Sequence, residues 1–322
     1  MSGRALVTGG AGFIGSHLVE ALLERGATVE VIDDLSTGRI ENLEACLPHP
    51  RFTFHGDTIM NEPLLAACVA RSDVVFHLAA AVGVKLIVER PVETIQTNIH
   101  GTELVLREAS RSGQKVVIAS TSEVYGKNVR APFREDDDMV LGPTTKSRWS
   151  YAASKAVDEY LALSYHREKR LEAIICRFFN TVGPRQVGTY GMVLPRFIEQ
   201  ALAGGPITVY GTGRQTRSFA WVGDVVGAVL GLVDEPSASG RVFNVGNPEE
   251  ISILDLAERV RAAVDPRVEI VLVSYDDAYE EGFEDLARRV PDVSRIREAI
   301  GYRPTLGIDE IVPRVIEHLR GL

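Results

Sequence analysis

The feature that most limits what this chain can fold into is the run Thr8-Gly9-Gly10-Ala11-Gly12-Phe13-Ile14-Gly15. A short apolar run, Arg4 to Val7, precedes it. An amphipathic stretch from Gly15 to Gly26 follows, with Leu18, Ala21 and Leu22 on one face. Strand, glycine loop and helix in that order let the backbone approach a pyrophosphate closely. The helix N-terminus then offers free N–H groups and the positive end of its dipole. A purely structural glycine turn accounts for the glycines alone. The strand before them and the helix after them favour dinucleotide binding.

The same alternation continues along the chain. Thr28 to Ile32, Val74 to Leu78, Lys115 to Ala119 and Ala173 to Arg177 are strand-length apolar runs. Gly101 to Ser112 and Ala152 to Lys169 have helical spacing between them. This predicts an α/β fold, a Rossmann doubly wound parallel sheet, through the first half. From Gly183 the rhythm shortens, with Gly183-Pro184, Gly204-Gly205-Pro206 and Gly211-Thr212-Gly213 as punctuation. We therefore expect a cofactor domain over 1–182 and a smaller, interwoven α/β substrate domain over 183–322. No Pro/Ser linker separates them, which points to a shared cleft.

Composition excludes several classes. Lys and Arg number 35 against 44 Asp and Glu, a formal charge of −9, which argues against nucleic-acid or anionic-membrane partners. No apolar stretch approaches the roughly 20 residues of a membrane span, and no signal peptide is legible at the N-terminus. Three scattered cysteines, Cys46, Cys68 and Cys176, suit neither a disulfide framework nor a metal site. A cytoplasmic location without a metal is the expectation.

Asp33 closes the second strand run, where an acid accepts hydrogen bonds from ribose hydroxyls and repels a 2′-phosphate. That favours NAD over NADP. Asp34 is adjacent and shares the candidacy, while Arg39 offers a phosphate contact. Tyr151-Ala152-Ala153-Ser154-Lys155 places Tyr151 and Lys155 four apart on one helical face. A nearby ammonium favours phenolate, so the spacing predicts a lowered tyrosine pKa and a base for a hydroxyl proton. Ser120-Thr121-Ser122-Glu123 follows the strand at 115–119, at the sheet end where substrates sit. Thr121 is placed for the reacting oxygen, Glu123 is a candidate acid or base, and Ser120 and Ser122 also suit turn capping.

Together TGGAGFIG, Asp33, HLAA (His77–Ala80), STSEVYG, YxxxK and RFFN (Arg177–Asn180) resemble the extended short-chain dehydrogenase/reductase family over nearly the whole chain. The resemblance implies an NAD-dependent enzyme that oxidises a nucleotide-diphosphate sugar, here a UDP-sugar, at C4. Epimerisation, dehydration or decarboxylation would follow. It implies that Gly9, Gly12, Phe13, Ile14 and Gly15 hold the cofactor, with Asp33 on the ribose and Asp57 and Ile59 flanking the adenine. It also implies that Ala79, Ala80 and Asn98 lie beside the cofactor and that Lys155 holds the nicotinamide ribose. Asn180 and Arg217 would bind the sugar nucleotide, with Arg185 in the adjoining segment. A homodimer formed by two helices per subunit is implied too, with Leu104, Leu106, Leu161 and Leu163 as candidate contacts. Packing of those leucines on the sheet is equally compatible.

Local motifs bear on the branch. Glu123, the run Gly142-Pro143-Thr144-Thr145-Lys146-Ser147-Arg148-Trp149-Ser150-Tyr151 and the segment Tyr279 to Asp292 resemble UDP-glucuronate decarboxylases and UDP-apiose/UDP-xylose synthases. In those enzymes the arginine corresponding to Arg289 faces the sugar. Residues 81–87 and 185–193 look more like epimerases. Decarboxylation of UDP-glucuronate to a UDP-pentose is therefore the leading expectation, and a 4-epimerase of a neutral or uronic UDP-sugar the alternative. A 4,6-dehydratase would lack its usual acid, since Ser122 stands there. A non-catalytic NAD(H)-binding protein would not need Tyr151, Lys155 and Thr121 together.

Overall fold

A computed structural model describes residues 3–81, 91–188, 192–274 and 288–321. Its main sheet takes β1 (Arg4–Thr8), β2 (Thr28–Ile32), β3 (Phe52–His55), β4 (Val74–His77), β5 (Lys115–Thr121), β6 (Ala173–Phe178) and β7 (Arg241–Val245). The order across the sheet is β7-β6-β5-β4-β1-β2-β3, and every adjacent pair is parallel. The order reverses between β1 and β4. A doubly wound sheet leaves its ligand crevice at such a switch point, beyond the strand C-termini.

Strands buried on both faces read as near-continuous apolar runs, as Val74–His77 does. On one face α1 (Phe13–Glu24) packs with a later helix, Val222–Asp234, through Leu18, Leu22, Val225 and Val229. On the other lie α2 (Glu62–Arg71), α3 (Pro91–Ser112) and α4 (Trp149–Lys169), which bury Leu65, Leu104, Leu106 and Ala162.

The helix expected from Gly101 begins at Pro91. Proline suits a first helical turn because its missing N–H has no partner there in any case. Gly101 sits inside the helix, where a Cβ would stand 2.5 Å from Cδ1 of Ile59. It marks close helix packing rather than a helix start.

Leu104 and Leu106 are wholly buried against the sheet of their own chain, and Leu161 and Leu163 pack beside them. The first two are not available as subunit contacts.

The second half forms its own core from Leu194, Phe197, Ile198, Leu256, Val260, Ile311 and Val315. It does not stand apart from the first. β7 lies beyond residue 183, yet it completes the main sheet beside β6. A small sheet pairs Thr216–Ser218 with Glu250–Ser252 (antiparallel) and with Arg288–Arg289 (parallel). In that register Arg289 lies opposite Arg217.

Of the motifs read above, residues 82–87, 189–191 and 279–287 lie outside the described residues. No described helix is long and apolar enough to cross a membrane.

Candidate active site

A cavity of about 510 Å³ runs over the C-terminal ends of β1, β2, β4 and β5 and under the second half. Gly9, Gly12, Phe13, Ile14, Gly15, Asp33, Asp34, Asp57, Ile59, Ala79 and Ala80 line its first part. Thr121, Ser122, Glu123, Tyr151, Asn180, Arg185, Arg217 and Arg289 line the second.

The glycine loop is tight for a physical reason. Gly9 has φ 73°, and a Cβ there would stand 2.6 Å from the Ala79 nitrogen. A Cβ on Gly15 would stand 2.2 Å from the Gly9 carbonyl oxygen. Only glycine keeps this loop folded with its N-terminal amides open to the cavity. Asp33, 8% exposed, accepts from the Ala11 N–H at 2.9 Å through Oδ2 and from the Leu35 N–H at 2.9 Å through Oδ1. Burial raises its pKa and those two amides oppose the rise. Each carboxylate oxygen keeps lone-pair capacity toward the cavity. A side-chain-free cradle beside a buried carboxylate fits an adenine dinucleotide with free ribose hydroxyls. Asp57 accepts from the Thr58 N–H and from Asn61 Nδ2, both at 2.7 Å, so its carboxylate is fixed at the cavity edge.

Asn98 lies behind the cavity wall formed by Thr97 and Ala81. Buried to 1% exposure, it accepts the Ala81 N–H at 2.9 Å and donates to Ser154 Oγ at 3.2 Å. It ties α3, the end of the β4 loop and α4 together. His77, from the HLAA run, lies between Thr8 Oγ1 at 2.8 Å and Thr102 Oγ1 at 3.1 Å. Burial, helped by the Lys155 charge, pushes its pKa down to about 3, so it is neutral and structural.

At the reacting end Tyr151 is 8% exposed and its hydroxyl meets the side chain of Thr121. The Thr121 hydroxyl also accepts the Glu123 N–H at 3.2 Å, which caps the turn Ser122–Tyr125. Ser122 is 2% exposed at the head of that turn. Arg289 Nη1 donates to Glu123 Oε1 at 3.4 Å, and its buried Nε has no hydrogen-bond partner among the described residues.

One expectation about the pair Tyr151–Lys155, the lowered tyrosine pKa, is corrected. Burial raises the Tyr151 pKa, with the Glu123 and Asp158 carboxylates adding to the rise against Thr121. Lys155 does not line the cavity. Its Nζ donates to Asp158 Oδ2 at 2.7 Å.

Sequence reasoning also missed the layer beneath. Glu159 accepts from Arg177 Nε at 2.9 Å and Nη2 at 2.7 Å and from the Ser120 hydroxyl. This buried cluster fixes β5, β6 and α4 directly under Thr121. Its signal was the acidic pair Asp158-Glu159 on a helix face that must meet the sheet. Asn180 Nδ2 donates to the Ser218 carbonyl at 2.9 Å and so joins the halves at the cavity wall. Arg148, which lines the cavity, stacks 5.3 Å from the Trp149 ring centroid, with Lys127 at 5.7 Å.

Comparison with known proteins gives a consistent set. The family profile described as GDP-mannose 4,6 dehydratase matches residues 6–315. A UDP-N-acetyl-α-D-glucosaminuronate decarboxylase of Bacillus cytotoxicus is 40% identical over 324 residues, covering 99% of this chain and 98% of that protein. UDP-glucuronic acid decarboxylase 1 of Arabidopsis thaliana is 38% identical over 317 residues, covering 98% of this chain and 70% of that protein. The solved UDP-glucuronic acid 4-epimerase of Bacillus cereus, in complex with UDP-glucuronic acid and NAD, superposes with TM-score 0.88 at 28% identity and covers 99% of each chain.

Proposed function

Since the chain belongs to the GDP-mannose 4,6 dehydratase family of extended short-chain dehydrogenases/reductases, we propose that it is an NAD-dependent decarboxylase of a UDP-linked uronic acid. The observation that carries this reading is Arg289. Its largely buried guanidinium, held by Glu123, belongs to the wall of the same cavity as Tyr151 and Thr121. A uronate brings a carboxylate that needs such a partner, while a neutral sugar does not. The two decarboxylase relatives support the same class of substrate.

Bound NAD supplies the hydride acceptor for oxidation at C4, and the glycine loop with Asp33 is the part of the chain that would hold it. Tyr151 takes the proton of the 4-hydroxyl while Thr121 orients that oxygen. The 4-ketone is β to the C6 carboxylate, so carbon dioxide can leave with the bonding electrons delocalised onto O4. Thr121 and Tyr151 then stabilise that oxyanion by hydrogen bonding. Arg289 orients the carboxylate, and Glu123, held by Arg289, relays a proton from water to C5, where it replaces the broken C5–C6 bond.

A second reading, 4-epimerisation of the same sugar, is favoured by the close superposition on the uronate epimerase. It leaves Glu123 without a task. Serine rather than an acid at Ser122 weighs against dehydration. Incubation with NAD and UDP-glucuronate or UDP-N-acetylglucosaminuronate, followed by mass spectrometry, separates the readings. Loss of carbon dioxide supports decarboxylation, and an isobaric product with inverted C4 overturns it.

A homodimer belongs to the same proposal. Val92 of α3 (66% exposed) and Tyr160 of α4 (60% exposed) leave apolar surface on adjacent helices, with Ile95 and Val157 beside them. Light scattering of Tyr160→Asp checks it, a monomer being the expected result. The three buried free cysteines support a reducing, cytoplasmic location.

A further inference from the structure

Asn244, near the end of β7, is fully buried and does not line the cavity. Its side-chain amide is nonetheless engaged at both ends. Oδ1 accepts from the Tyr125 hydroxyl at 2.6 Å. Nδ2 donates to the Phe133 carbonyl at 2.8 Å and to the Asp292 carbonyl at 3.1 Å.

These partners belong to the two segments that carry Glu123 and Arg289. Tyr125 closes the turn Ser122–Tyr125, which contains Glu123. Asp292 follows Arg289 by three positions. Phe133 grips that second segment with its backbone: its N–H donates to the Val290 carbonyl at 2.8 Å, and its carbonyl accepts the Asp292 N–H at 2.8 Å. The Tyr125 ring stacks on the Phe133 ring with centroids 4.8 Å apart. One amide thus ties the turn to the segment, behind the contact of Glu123 with Arg289.

We propose that Asn244 is a positioning residue: by joining the Tyr125 hydroxyl to the Asp292 carbonyl it sets the separation of Glu123 and Arg289, and with it the preference of the cavity for an acidic sugar. The inference rests on the reading of Arg289 as the partner of a uronate carboxylate.

The chemistry of an amide suits this task. It accepts at one end and donates two hydrogens at the other, which an ionised acid cannot do. The network is anchored beyond it as well. The Asn244 N–H donates to Glu135 Oε1 at 2.9 Å, and Arg177 Nη1 donates to the Glu135 carbonyl at 3.0 Å. Arg177 is the residue that holds Glu159 beneath Thr121. A buried polar network with its members paired admits one arrangement and resists others.

Asn244→Asp tests the idea with almost no change of shape. The new side chain carries at most one proton, so at least one of the two carbonyls loses its donor. The dissociation constant of UDP-glucuronate, measured by calorimetry, should rise about tenfold, while those of NAD and UDP-glucose stay within about twofold. In an Arg289→Met background the same substitution should leave the ratio of uronate to neutral-sugar affinity unmoved. Equal losses for all three ligands, or a shift of that ratio that persists without Arg289, overturns the proposal.

A second measurement needs no sugar. Tyr125→Phe deletes one hydroxyl and keeps the ring stacked on Phe133. Hydrogen exchange at the Asp292 amide should become faster in this variant, because the tie through Asn244 is cut. An unchanged Asp292 amide overturns the proposal. If the wild type binds UDP-glucuronate no better than UDP-glucose, the functional reading fails, while exchange still decides whether Asn244 couples the two segments.

Discussion

Arg289 and Glu123 meet across the cavity, Nη1 to Oε1 at 3.4 Å, from segments 166 positions apart in the chain. The contact is long for an ion pair, and it leaves the guanidinium with capacity for a second acid. Replacing Arg289 with Met should cut kcat/KM for a UDP-uronate by about 100-fold, the loss of a charge-assisted hydrogen bond worth about 3 kcal/mol. Binding of UDP-glucose, measured by calorimetry, should change little. Equal losses for both ligands would remove the carboxylate from Arg289.

Tyr151→Phe removes one oxygen from the reacting end and nothing from the glycine cradle. NAD affinity, followed by fluorescence titration, should stay within about twofold. Turnover should fall by about 10²- to 10⁴-fold, the contribution of a positioned general base.

Asp33 does two things at once, facing the cavity and accepting the Ala11 and Leu35 amides. Asp33→Ala would leave both N–H groups without their acceptor and loosen the loop. NAD dissociation constants should rise by about 10- to 100-fold, as expected for losing hydrogen bonds to a charged group. Weaker discrimination against NADP should accompany the change, because the repulsion of a 2′-phosphate is gone.

Acid stability has a local source at the edge of the sheet. Burial pushes the Glu30 carboxyl up, but Arg71 and His55 outweigh it and hold the group at about 2, against the ordinary 4.5 of a glutamate. A folded pKa below the unfolded one gives stability that is present above about pH 4.5 and lost as pH falls through about 2. Arg71→Ala should therefore narrow the stability difference between pH 5 and pH 3 in urea melts. An identical pH slope in variant and wild type would exclude Glu30 as the source.

Much of this was legible before the fold. Thr28–Ile32 is the strand its β-branched pattern announces, and the glycine spacing is the tight loop that lines the first part of the cavity. The start of α3 was not legible, because its inward stripe is polar. Thr94, Asn98 and Thr102 are buried at four-residue spacing, with exposures of 0%, 1% and 0%. Hydrophobic periodicity cannot register a buried face built from hydroxyls and amides. The partner of the Lys155 side chain was hidden for a related reason. Spacing says which residues share a helix face, but not which of two neighbours wins the ammonium. Asp158, one turn further on, does.

β7 carries a consequence for synthesis and dissection of the protein. Its five residues, Arg241–Val245, are the ones that satisfy the outer backbone groups of β6. While the chain emerges from the ribosome, Ala173–Phe178 stands as a bare, apolar sheet margin until residue 245 is free. An expression fragment ending at residue 182 would keep that margin open permanently, and such margins recruit strands from other molecules. The cofactor half is therefore a module in chemistry but not in folding, and cuts intended to isolate it belong after the return of the chain to the sheet.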